Sequence, residues 1–406
     1  MKIAIIGSAL SGNKGAAAML ESAVSHLTER NPGVEITHLS MYPRSDAELN
    51  TYDNVQVLNA GPLRLGIAIN GGALLWRILP FLRTRIGKAV PEVGAIADAD
   101  VLLDQGGITF VDGREKYLIY NIASILPAMF VKTPVVKCAQ ALGPFTGKRN
   151  RFWAKRFLPR VHTIVSRGAV THEHLEGLGL SNILRGADLA FTLDVSDREM
   201  AAATQAVDVS FFAQGDVVGV SPSQVLRQSG DSAGGDYVAD VVTQIDFITS
   251  EMGRPVFLVA HSARPNAEKL HNNDIPVCRE IHARVAEPDK VLFPDAELSS
   301  QVLRFLIGQC DLFVASRFHA MVSSLAMGVP TVVIGWSHKY REVLDMFGLA
   351  DWAMNGSEVT DQAFRGQLTR LDRDKDTVRA QLAAHLPAVR ETALSQLDVI
   401  ESIASR

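Results

Sequence analysis

One stretch of the chain, residues 312–334, limits the fold more than any other, because it places two apolar runs on either side of one short helix. Leu312–Ala315 is wholly apolar, which predicts a buried strand. Phe318–Met327 has helical spacing, with Ser316 in position to cap its start and glycine and proline after its end. Thr331–Ile334 is the next predicted strand. A strand, a helix and a strand in this order indicate a parallel β–α–β unit.

The same alternation runs through both halves of the chain. It begins with a strand at Ile3–Ile6 and resumes with a strand at Val217–Val220, after a charged, alanine-rich stretch at residues 196–216. We therefore predict an α/β protein of two doubly wound Rossmann-like domains in a GT-B-like arrangement, with ligands bound in the cleft between them. The predicted domains are residues 1–195 and 217–370, and we expect residues 371–406 to form a helix that packs back on the N-terminal domain.

Composition narrows the class of protein. A net charge of −4 over 406 residues argues against a nucleic-acid-binding protein with a broad basic face. The three cysteines are scattered, which favours a reducing compartment without disulfides, and no pair of them has metal-site spacing. We therefore expect no bound metal. The chain starts directly with a strand and shows no signal-peptide core, so a cytoplasmic protein is expected.

One apolar segment, Leu63–Leu82, raises the question of a membrane. Two arginines, a glycine pair and a proline interrupt it, so it is a poor candidate for a spanning helix. Three cations follow at Arg83, Arg85 and Lys88. Two interpretations stay open: a segment that lies on an anionic membrane surface, or a buried helix with a solvated end. The first would make the protein peripheral at the inner face of the membrane.

Arg317 and His319 follow the strand Leu312–Ala315 directly. In an open α/β sheet, ligands bind at the carboxyl ends of strands, and a helix N-terminus there favours anions. A guanidinium can bind a carboxylate or phosphate through two hydrogen bonds, and an imidazole can transfer a proton near neutral pH. The alternative is that both residues are capping or surface residues.

Two glycine-rich turns follow other predicted strands. In Gly7–Gly15, Asn13-Lys14 stands where a P-loop requires Lys-Ser/Thr, and the glycine spacing does not fit a dinucleotide fingerprint. Backbone N–H groups at such a turn suit an anion or a sugar hydroxyl, and Asn13 and Lys14 can add contacts. The alternative is a tight turn that needs glycine for its backbone angles. Gly106-Gly107 likewise allows a ligand to approach the backbone closely.

Several short motifs occur in a fixed order along the chain. They are Gly12-Asn-Lys-Gly15, Gly106-Gly107 with Asp112 and Arg114, Gln140-Ala-Leu-Gly-Pro-Phe145, Ser166-Arg167, Gly186-Ala-Asp188, Ser316-Arg-Phe-His-Ala320, Gly328-Val-Pro330 and Lys339. In this order they resemble the polysaccharide pyruvyl transferase family across most of the chain. Three positions depart from the family pattern: Ala16 replaces an aspartate, Gly168 a glutamate, and Ala260 the proline of a Pro-His pair.

The resemblance implies transfer of the enolpyruvyl unit of phosphoenolpyruvate onto two hydroxyls of a sugar, giving a cyclic ketal and phosphate without a cofactor. It implies an acceptor on a cell-surface polysaccharide or its precursor, with lipid linkage left open, and it assigns the acceptor to the N-terminal domain and the donor to the C-terminal one. The implied catalytic residues are His319, as the general acid, and Arg317. Arg317, Arg167 and Lys339 are the implied anion contacts. Further implied substrate contacts are Ser316, Asn13, Lys14, Gly106, Gly107, Gln140 and Asp188; for Asp188, a structural role as a turn cap stays open beside that of a base.

Two other functions share these features. A GT-B glycosyltransferase would use a nucleotide sugar, with an acidic residue of Pro294-Asp-Ala-Glu297 holding the ribose. A non-catalytic sugar-binding protein would need the cleft but no general acid. Substitution of His319 distinguishes the enzymes from the binder.

Overall fold

The strands form two parallel sheets, as the strand–helix alternation predicts. The computed structural model describes residues 1–232, 234–264, 273–335, 338–356 and 359–405. The first sheet has the order β3-β2-β1-β4-β6-β7-β8, with β5 paired to β6. Its strands are β1 (Lys2–Ile6), β2 (Glu35–Ser40), β3 (Val55–Asn59), β4 (Val101–Asp104), β5 (Ile108–Val111), β6 (Val135–Gly143), β7 (Thr163–Arg167) and β8 (Ile183–Gly186).

The second sheet has the order β11-β10-β9-β12-β13-β14. Its strands are β9 (Val218–Ser221), β10 (Val256–Leu258), β11 (Val291–Leu292), β12 (Leu312–Ala315), β13 (Thr331–Gly335) and β14 (Ala353–Asn355). Each sheet winds outwards from its first strand, first to one side and then to the other. Both sheets are therefore doubly wound.

Helices connect the strands. Those up to the end of the first sheet are α1 (Lys14–Arg30), α2 (Pro43–Leu49), α3 (Asn70–Ile78), α4 (Arg83–Ala89), α5 (Pro91–Asp98), α6 (Leu118–Ala123), α7 (Leu126–Val131), α8 (Lys148–Phe157) and α9 (Ala169–Gly177). The later ones are α10 (Asp197–Ala206), α11 (Gln224–Ser232), α12 (Tyr237–Asp246), α13 (Ile275–His282), α14 (Ser300–Gly308), α15 (Phe318–Ala326), α16 (His338–Asp345) and α17 (Asp361–Ala404).

The chain divides into two units whose bounds differ from the predicted domains. The first unit comprises Met1–Ser11, Ala16–Thr192 and Arg390–Arg406, and the second comprises Gly12–Gly15 and Leu193–Val389. The stretch 196–216, predicted as a boundary, belongs to the second unit, and within it α10 starts at a cap in which Ser196 accepts a hydrogen bond from the Glu199 N–H. The C-terminal helix starts at Asp361, ten residues before the predicted start at 371.

Alternating side chains of the first sheet build two cores. Ala4 and Ile6 of β1 face one apolar cluster, which also contains Ala73, Phe110 and Ala154. Ile3 and Ile5 face the other, to which α1 and the end of α17 contribute. This two-sided burial is typical of a parallel sheet covered by helices on both faces.

Two local predictions were wrong. The continuous apolar character of residues 117–130 predicts one helix, but this segment forms α6 and α7. Pro127 lacks the N–H that a continuous helix would need and instead stands at the start of α7. Ser316 was predicted to cap α15, but Arg317 occupies the cap position and no side chain caps this helix. Across the described ranges, no helix combines the length and apolar character of a membrane span.

Candidate functional site

The order of the second sheet reverses between β9 and β12, and the candidate site of this unit is built there. Ligands of open α/β sheets bind at such a reversal, beyond the carboxyl ends of the strands. The loops after the two strands are joined, because the Ser316 N–H donates to the Ser221 carbonyl over 3.0 Å. Arg317 and His319, predicted from their place after β12, therefore lie beside residues that follow β9 and β10.

Asp274 fixes the side chain of Arg317. Nε of Arg317 donates to Oδ2 of Asp274 over 2.8 Å, and Nη2 donates to Oδ1. Asp274 is fully buried and also accepts hydrogen bonds from the N–H groups of Gln224 and Ser262, at 2.9 and 3.0 Å. The remaining nitrogen of Arg317, Nη1, makes no hydrogen bond among the described residues, so it is the one left to meet a ligand.

The ion pair with Asp274 stabilises the charge of Arg317. Burial of the guanidinium opposes its charge, but the carboxylate of Asp274 outweighs burial and raises the pKa of Arg317 above its ordinary value. Arg317 is therefore a cation throughout the physiological pH range. Its orientation depends on a residue that sequence reasoning did not select.

His319 lies in the first turn of α15 and is packed against the start of α1. A Cβ atom at Gly15 would lie 1.9 Å from Nδ1 of His319, so only glycine permits this approach. The ring of Phe318 meets the imidazole edge to face at 5.0 Å. The ring of His319 is thus held between α1 and Phe318.

A second histidine, His261, follows β10 and is buried near His319. Burial lowers the pKa of His261 well below its ordinary value, and the nearby His319, Arg317 and Arg304 lower it further. His261 is therefore neutral at pH 7 in the structure described.

Lys339 and two aromatic rings complete this cluster. The Lys339 ammonium lies 5.3 Å from the ring centre of Phe318 and 5.2 Å from that of Tyr340, within the range of cation–π attraction. The Tyr340 hydroxyl reaches the carbonyl of Ser316 at 3.4 Å. The structure thus brings together four predicted residues, Ser316, Arg317, His319 and Lys339.

The Gly12–Gly15 turn belongs to the second unit. The side chains of Asn13 and Lys14, which were predicted to contact a ligand, bond to other residues of the protein. Asn13 forms an isolated antiparallel bridge with Ser262, and its side-chain oxygen accepts from the Gly15 N–H over 3.1 Å. Lys14 is buried and its ammonium pairs with Glu297 at 2.6 Å. The acidic residue considered for a glycosyltransferase therefore neutralises the lysine considered for substrate binding.

In the first unit, Arg167 and Asp188 form a buried pair, with Nη1 and Oδ2 at 2.8 Å. A Cβ atom at Gly107 would lie 3.8 Å from the same Nη1, so the guanidinium lies against the glycine pair. The other oxygen of Asp188 accepts from the Ala190 N–H at 3.0 Å. This last contact is that of a turn cap, the structural role that the sequence left open beside the role of a base.

Gln140 is fully buried, and both ends of its amide are bonded within the protein. It accepts from the Thr109 hydroxyl over 2.6 Å and donates to the Asp104 carbonyl over 2.5 Å. Asp104 in turn accepts from the Gly106 N–H over 2.9 Å and pairs with the buried Lys137. These contacts hold Gln140 beside the Gly106-Gly107 turn, and its contact with substrate stays a prediction.

The predicted residues thus fall into two groups. Asn13, Lys14, Ser316, Arg317, His319 and Lys339 lie in the second unit, and Gly106, Gly107, Gln140, Arg167 and Asp188 lie in the first. The convergence of Arg167 with Arg317 and Lys339 stays a prediction. Sequence reasoning did not select Asp274 or His261 as site residues. The only signal for Asp274 was its place just before a helix with proline in its first turn. His261 was noted only as the histidine after Ala260, where the family pattern has a Pro-His pair. Among the described residues, no group of three or more His, Cys, Asp or Glu is placed to hold a metal ion.

Comparison with known proteins identifies relatives over most of the chain. The family model described as polysaccharide pyruvyl transferase matches residues 13–338. The amylovoran biosynthesis protein AmsJ of Erwinia amylovora is 25% identical over 410 residues, which cover 94% of this chain and 95% of that protein. The resemblance inferred from the short motifs is confirmed.

Solved structures show the fold. The UDP-GlcNAc 2-epimerase of Neisseria meningitidis, bound to UDP-GlcNAc, is 10% identical with a TM-score of 0.64, and the match covers 100% of both chains. A UDP-N-acetylglucosamine 2-epimerase from Listeria monocytogenes, described as putative, is 13% identical with a TM-score of 0.63, over 99% of this chain and 96% of that one. Anabaena Alr3699/HepE, in complex with UDP and glucose, is 13% identical with a TM-score of 0.57 over 100% of both chains. The predicted fold class, two parallel-sheet α/β domains of the GT-B fold, is confirmed.

Proposed function

Because this chain belongs to the polysaccharide pyruvyl transferase family, we propose that it moves the pyruvyl unit of phosphoenolpyruvate onto a sugar of a cell-surface polysaccharide or its precursor. The observation that carries the proposal is the cluster at the sheet reversal of the second unit. There Asp274 binds Nε and Nη2 of Arg317, so that Nη1 can bind a ligand. His319 and Lys339 lie in the same cluster. The biosynthetic name of the relative AmsJ supports a polysaccharide as the acceptor.

The donor would be bound by charge. Phosphoenolpyruvate carries a carboxylate and a phosphate, and each prefers guanidinium or ammonium partners and backbone N–H groups. Arg317 and Lys339 would supply the cations, and the first N–H groups of α15 would add hydrogen bonds. The pairing of Lys14 with Glu297 leaves Lys14 out of this donor set.

The chemistry would start with a proton from His319. Protonation of the donor's methylene carbon gives a methyl group and an oxocarbenium-like centre, which one sugar hydroxyl attacks. The carbon–oxygen bond to phosphate then breaks, and a second hydroxyl of the sugar attacks the same carbon to close the ketal. Of the two protons released by the sugar hydroxyls, one restores His319 and the other protonates the phosphate. The reaction therefore balances without a cofactor. General acid catalysis of this kind contributes about 10²–10⁴ in rate.

The residues of the first unit would contact the acceptor side. Gly107 allows close approach to the backbone, and the neighbouring pair Arg167–Asp188 offers both charges at one place. In this proposal Gln140 stabilises the Gly106-Gly107 turn through its hydrogen bond to Asp104. The lipid linkage of the acceptor is a separate hypothesis, tested by offering the sugar with and without its lipid.

A thermal-shift titration tests donor binding. Phosphoenolpyruvate is compared with UDP-, GDP- and ADP-sugars, with phosphate and pyruvate as controls. Binding at a hundredfold excess over Kd stabilises the folded state by about 2.7 kcal/mol. We expect the shift with phosphoenolpyruvate to persist in His319→Ala and to be lost in Arg317→Ala and in Arg317→Lys, which keeps the charge but not the paired geometry.

Phosphate release from phosphoenolpyruvate in the presence of acceptor tests the reaction itself. His319→Ala should lower the rate by about 10²–10⁴ while donor binding is retained. His385→Ala, an exposed histidine on α17, is the matched control and should react at the wild-type rate. A shift only with a nucleotide sugar would replace this proposal with a glycosyltransferase. Donor binding without any turnover, unaffected by His319→Ala, would indicate a binding protein.

A further inference from the structure

The helical run from Leu63 to Ile78 exposes one apolar face. It consists of a π-helical turn at Arg64–Ile69 continued by α3. Leu63, Ile67, Leu74 and Ile78 are separated by four, seven and four residues, and they are 80%, 73%, 42% and 58% exposed. Such spacing places them on one side of a helix, where a surface helix normally carries polar residues.

The opposite side of the same run is buried. Leu65, Ile69 and Ala73 belong to the apolar core on one face of the first sheet. The run is therefore not a buried helix with a solvated end, which was one of the two interpretations of the sequence. It is a helix held by its inner face, with a second apolar face turned outwards.

Cations surround this outer face. Residues 61–90 contain Arg64, Arg77, Arg83, Arg85 and Lys88 and no acidic residue, although the whole chain has a net charge of −4. Arg64 pairs with Glu92 of α5. Arg77, Arg85 and Lys88 are exposed and make no ion pair among the described residues. Phe81, 79% exposed, extends the apolar surface between Arg77 and the three later cations.

A second helix repeats this composition on the same side of the sheet. The sequence of α8, Lys148–Phe157, has five cations and no acidic residue, and it exposes Phe152 and Trp153. Its inner residues Ala154 and Phe157 belong to the same core cluster as Ala73. Both helices therefore cover one face of the first sheet, and we call their outer surface, residues 63–88 and 148–156, the basic–apolar face.

We propose that the basic–apolar face binds the surface of an anionic phospholipid bilayer. Large aliphatic and aromatic side chains would enter the boundary between headgroups and acyl chains, and the flanking lysines and arginines would contact the anionic headgroups. The pattern favours a bilayer over a protein partner because Arg77, Arg85 and Lys88 make no ion pair among the described residues and stand next to exposed apolar side chains. It favours a surface position over a span, since α3 and α4 are short and α3 already buries Gly72 and Ala73 on its inner side.

Vesicle flotation of the full chain tests this surface. The probes are phosphatidylcholine vesicles with and without phosphatidylglycerol, at low and at high salt. The wild-type protein should float with anionic vesicles only, and less at high salt. Leu74→Glu combined with Ile78→Glu, and separately Arg85→Glu combined with Lys88→Glu, should each weaken binding by at least about tenfold.

Matched controls separate the surface from general charge and folding. Leu49→Glu alters an exposed leucine outside the face, and Arg198→Glu with Arg373→Glu changes the net charge by the same amount as the double cation variant. Both should bind like the wild type, and every variant should keep the wild-type melting temperature. Failure of the wild type to float, equal binding to neutral vesicles, or binding unaffected by both test variants would overturn the proposal. A dimer in solution that Leu74→Glu with Ile78→Glu disperses, without vesicle binding, would assign the face to a second copy of the chain instead.

Discussion

Among the single residues of the candidate site, Asp274 has the largest predicted effect on the free energy of unfolding, because it is the buried counter-charge of Arg317. Asp274→Asn keeps the shape but leaves the guanidinium buried without its partner, and breaking such a pair costs about 3–5 kcal/mol of unfolding free energy. Arg317→Met combined with Asp274→Asn should cost less than the sum of the single changes, since neither charge is left alone. Denaturant unfolding of the two single variants and the double variant measures this coupling.

Asp295→Asn is the matched control for Asp274→Asn. Asp295 pairs with Arg279 at 2.7 Å, but both side chains are about half exposed. An exposed pair of this kind contributes about 0–1 kcal/mol. Strictly additive losses in the Asp274–Arg317 cycle, or equal losses at Asp274 and Asp295, would contradict the role given to Asp274.

His261 gives a pH-dependent prediction. Its pKa is lowered in the folded protein, so below about pH 6.5 the unfolded chain binds a proton that the folded chain does not bind. The stability due to the neutral form is therefore present above this pH and is lost as the pH falls. Between about pH 7.5 and about pH 5.5 the wild type should lose about 1.4 kcal/mol more unfolding free energy than His261→Gln.

Unfolding curves of the wild type, His261→Gln and the exposed control His385→Gln at both pH values measure this difference. The control should show the pH dependence of the wild type. A wild type and a His261→Gln variant with the same pH dependence would mean that His261 is protonated in the folded state. Addition of phosphoenolpyruvate should reduce the difference, if its anionic groups bind next to His261.

Single residues also mark how far the sequence can predict a site. Arg317 and His319 could be selected because they follow a strand directly, and that is a local feature. Asp274 could not, because it lies 43 residues away from Arg317 and only the fold brings them together. Lys14 and Glu297 were considered for two different functions and instead pair across 283 residues of sequence.

At the scale of elements, the close approach of the first turns of α1 and α15 yields the next prediction. Gly15→Ala would place a methyl group 1.9 Å from His319 Nδ1, so the imidazole must move. Ala is favoured over Gly in a helix by about 1 kcal/mol, which means that a loss must come from the contact and not from helix propensity. We expect Gly15→Ala to lower turnover by at least about tenfold, because displacement of a catalytic group by about 1 Å costs up to about 10² in rate.

Gly366→Ala is the control for this change. Gly366 also lies in a helix, and a Cβ atom there would meet no atom within 4 Å. This variant should keep full activity and gain about 1 kcal/mol of stability. Phosphate release and thermal melting are measured for both variants. Full activity of Gly15→Ala would show that the position of His319 against Gly15 does not matter for the reaction.

The elements themselves were predicted well where the apolar periodicity was strong. The buried strand Leu312–Ala315 has the predicted bounds. The prediction of one helix over residues 117–130 was wrong because its apolar residues continue across a proline without a break. The strand Ile108–Val111 was missed because four residues after a glycine pair carry little periodicity. The outward face of residues 63–78 left two interpretations, since apolar residues on all sides of a helix do not tell which side is buried.

At the scale of the whole molecule, the chain passes between the two units more often than the sequence suggests. Residues 1–195 were predicted as one domain, yet Gly12–Gly15 belongs to the second unit. The last part of α17 belongs to the first unit, which is the domain on which the sequence analysis expected the C-terminal helix to pack. The helical periodicity of α17 was evident in the sequence, but periodicity alone does not show which turns of the helix pack on which unit. The parallel-sheet class was predictable, because it depends only on the order of strands and helices.

The end of α17 supplies the last prediction, because it completes the core of the first unit. Leu397 and Ile400 are fully buried with Ile3, Leu20 and other residues of β1 and α1. Gln396 is buried as well, and its side-chain oxygen accepts from the Ala139 N–H of β6 at 3.1 Å. Removal of these residues would open the core and leave the Ala139 N–H without its partner.

Leu397→Ala should therefore lower the unfolding free energy by about 2–5 kcal/mol, which is a large part of the stability of a typical domain. Leu49→Ala, at a leucine that is 45% exposed, is the matched control and should cost less than about 1 kcal/mol. A chain that ends at Val389 should be cleaved by protease within residues 16–192 at concentrations that leave the full chain intact. Equal protease resistance of the two chains would show that the first unit folds without the end of α17, and the helix would then be an appendage and not part of its core.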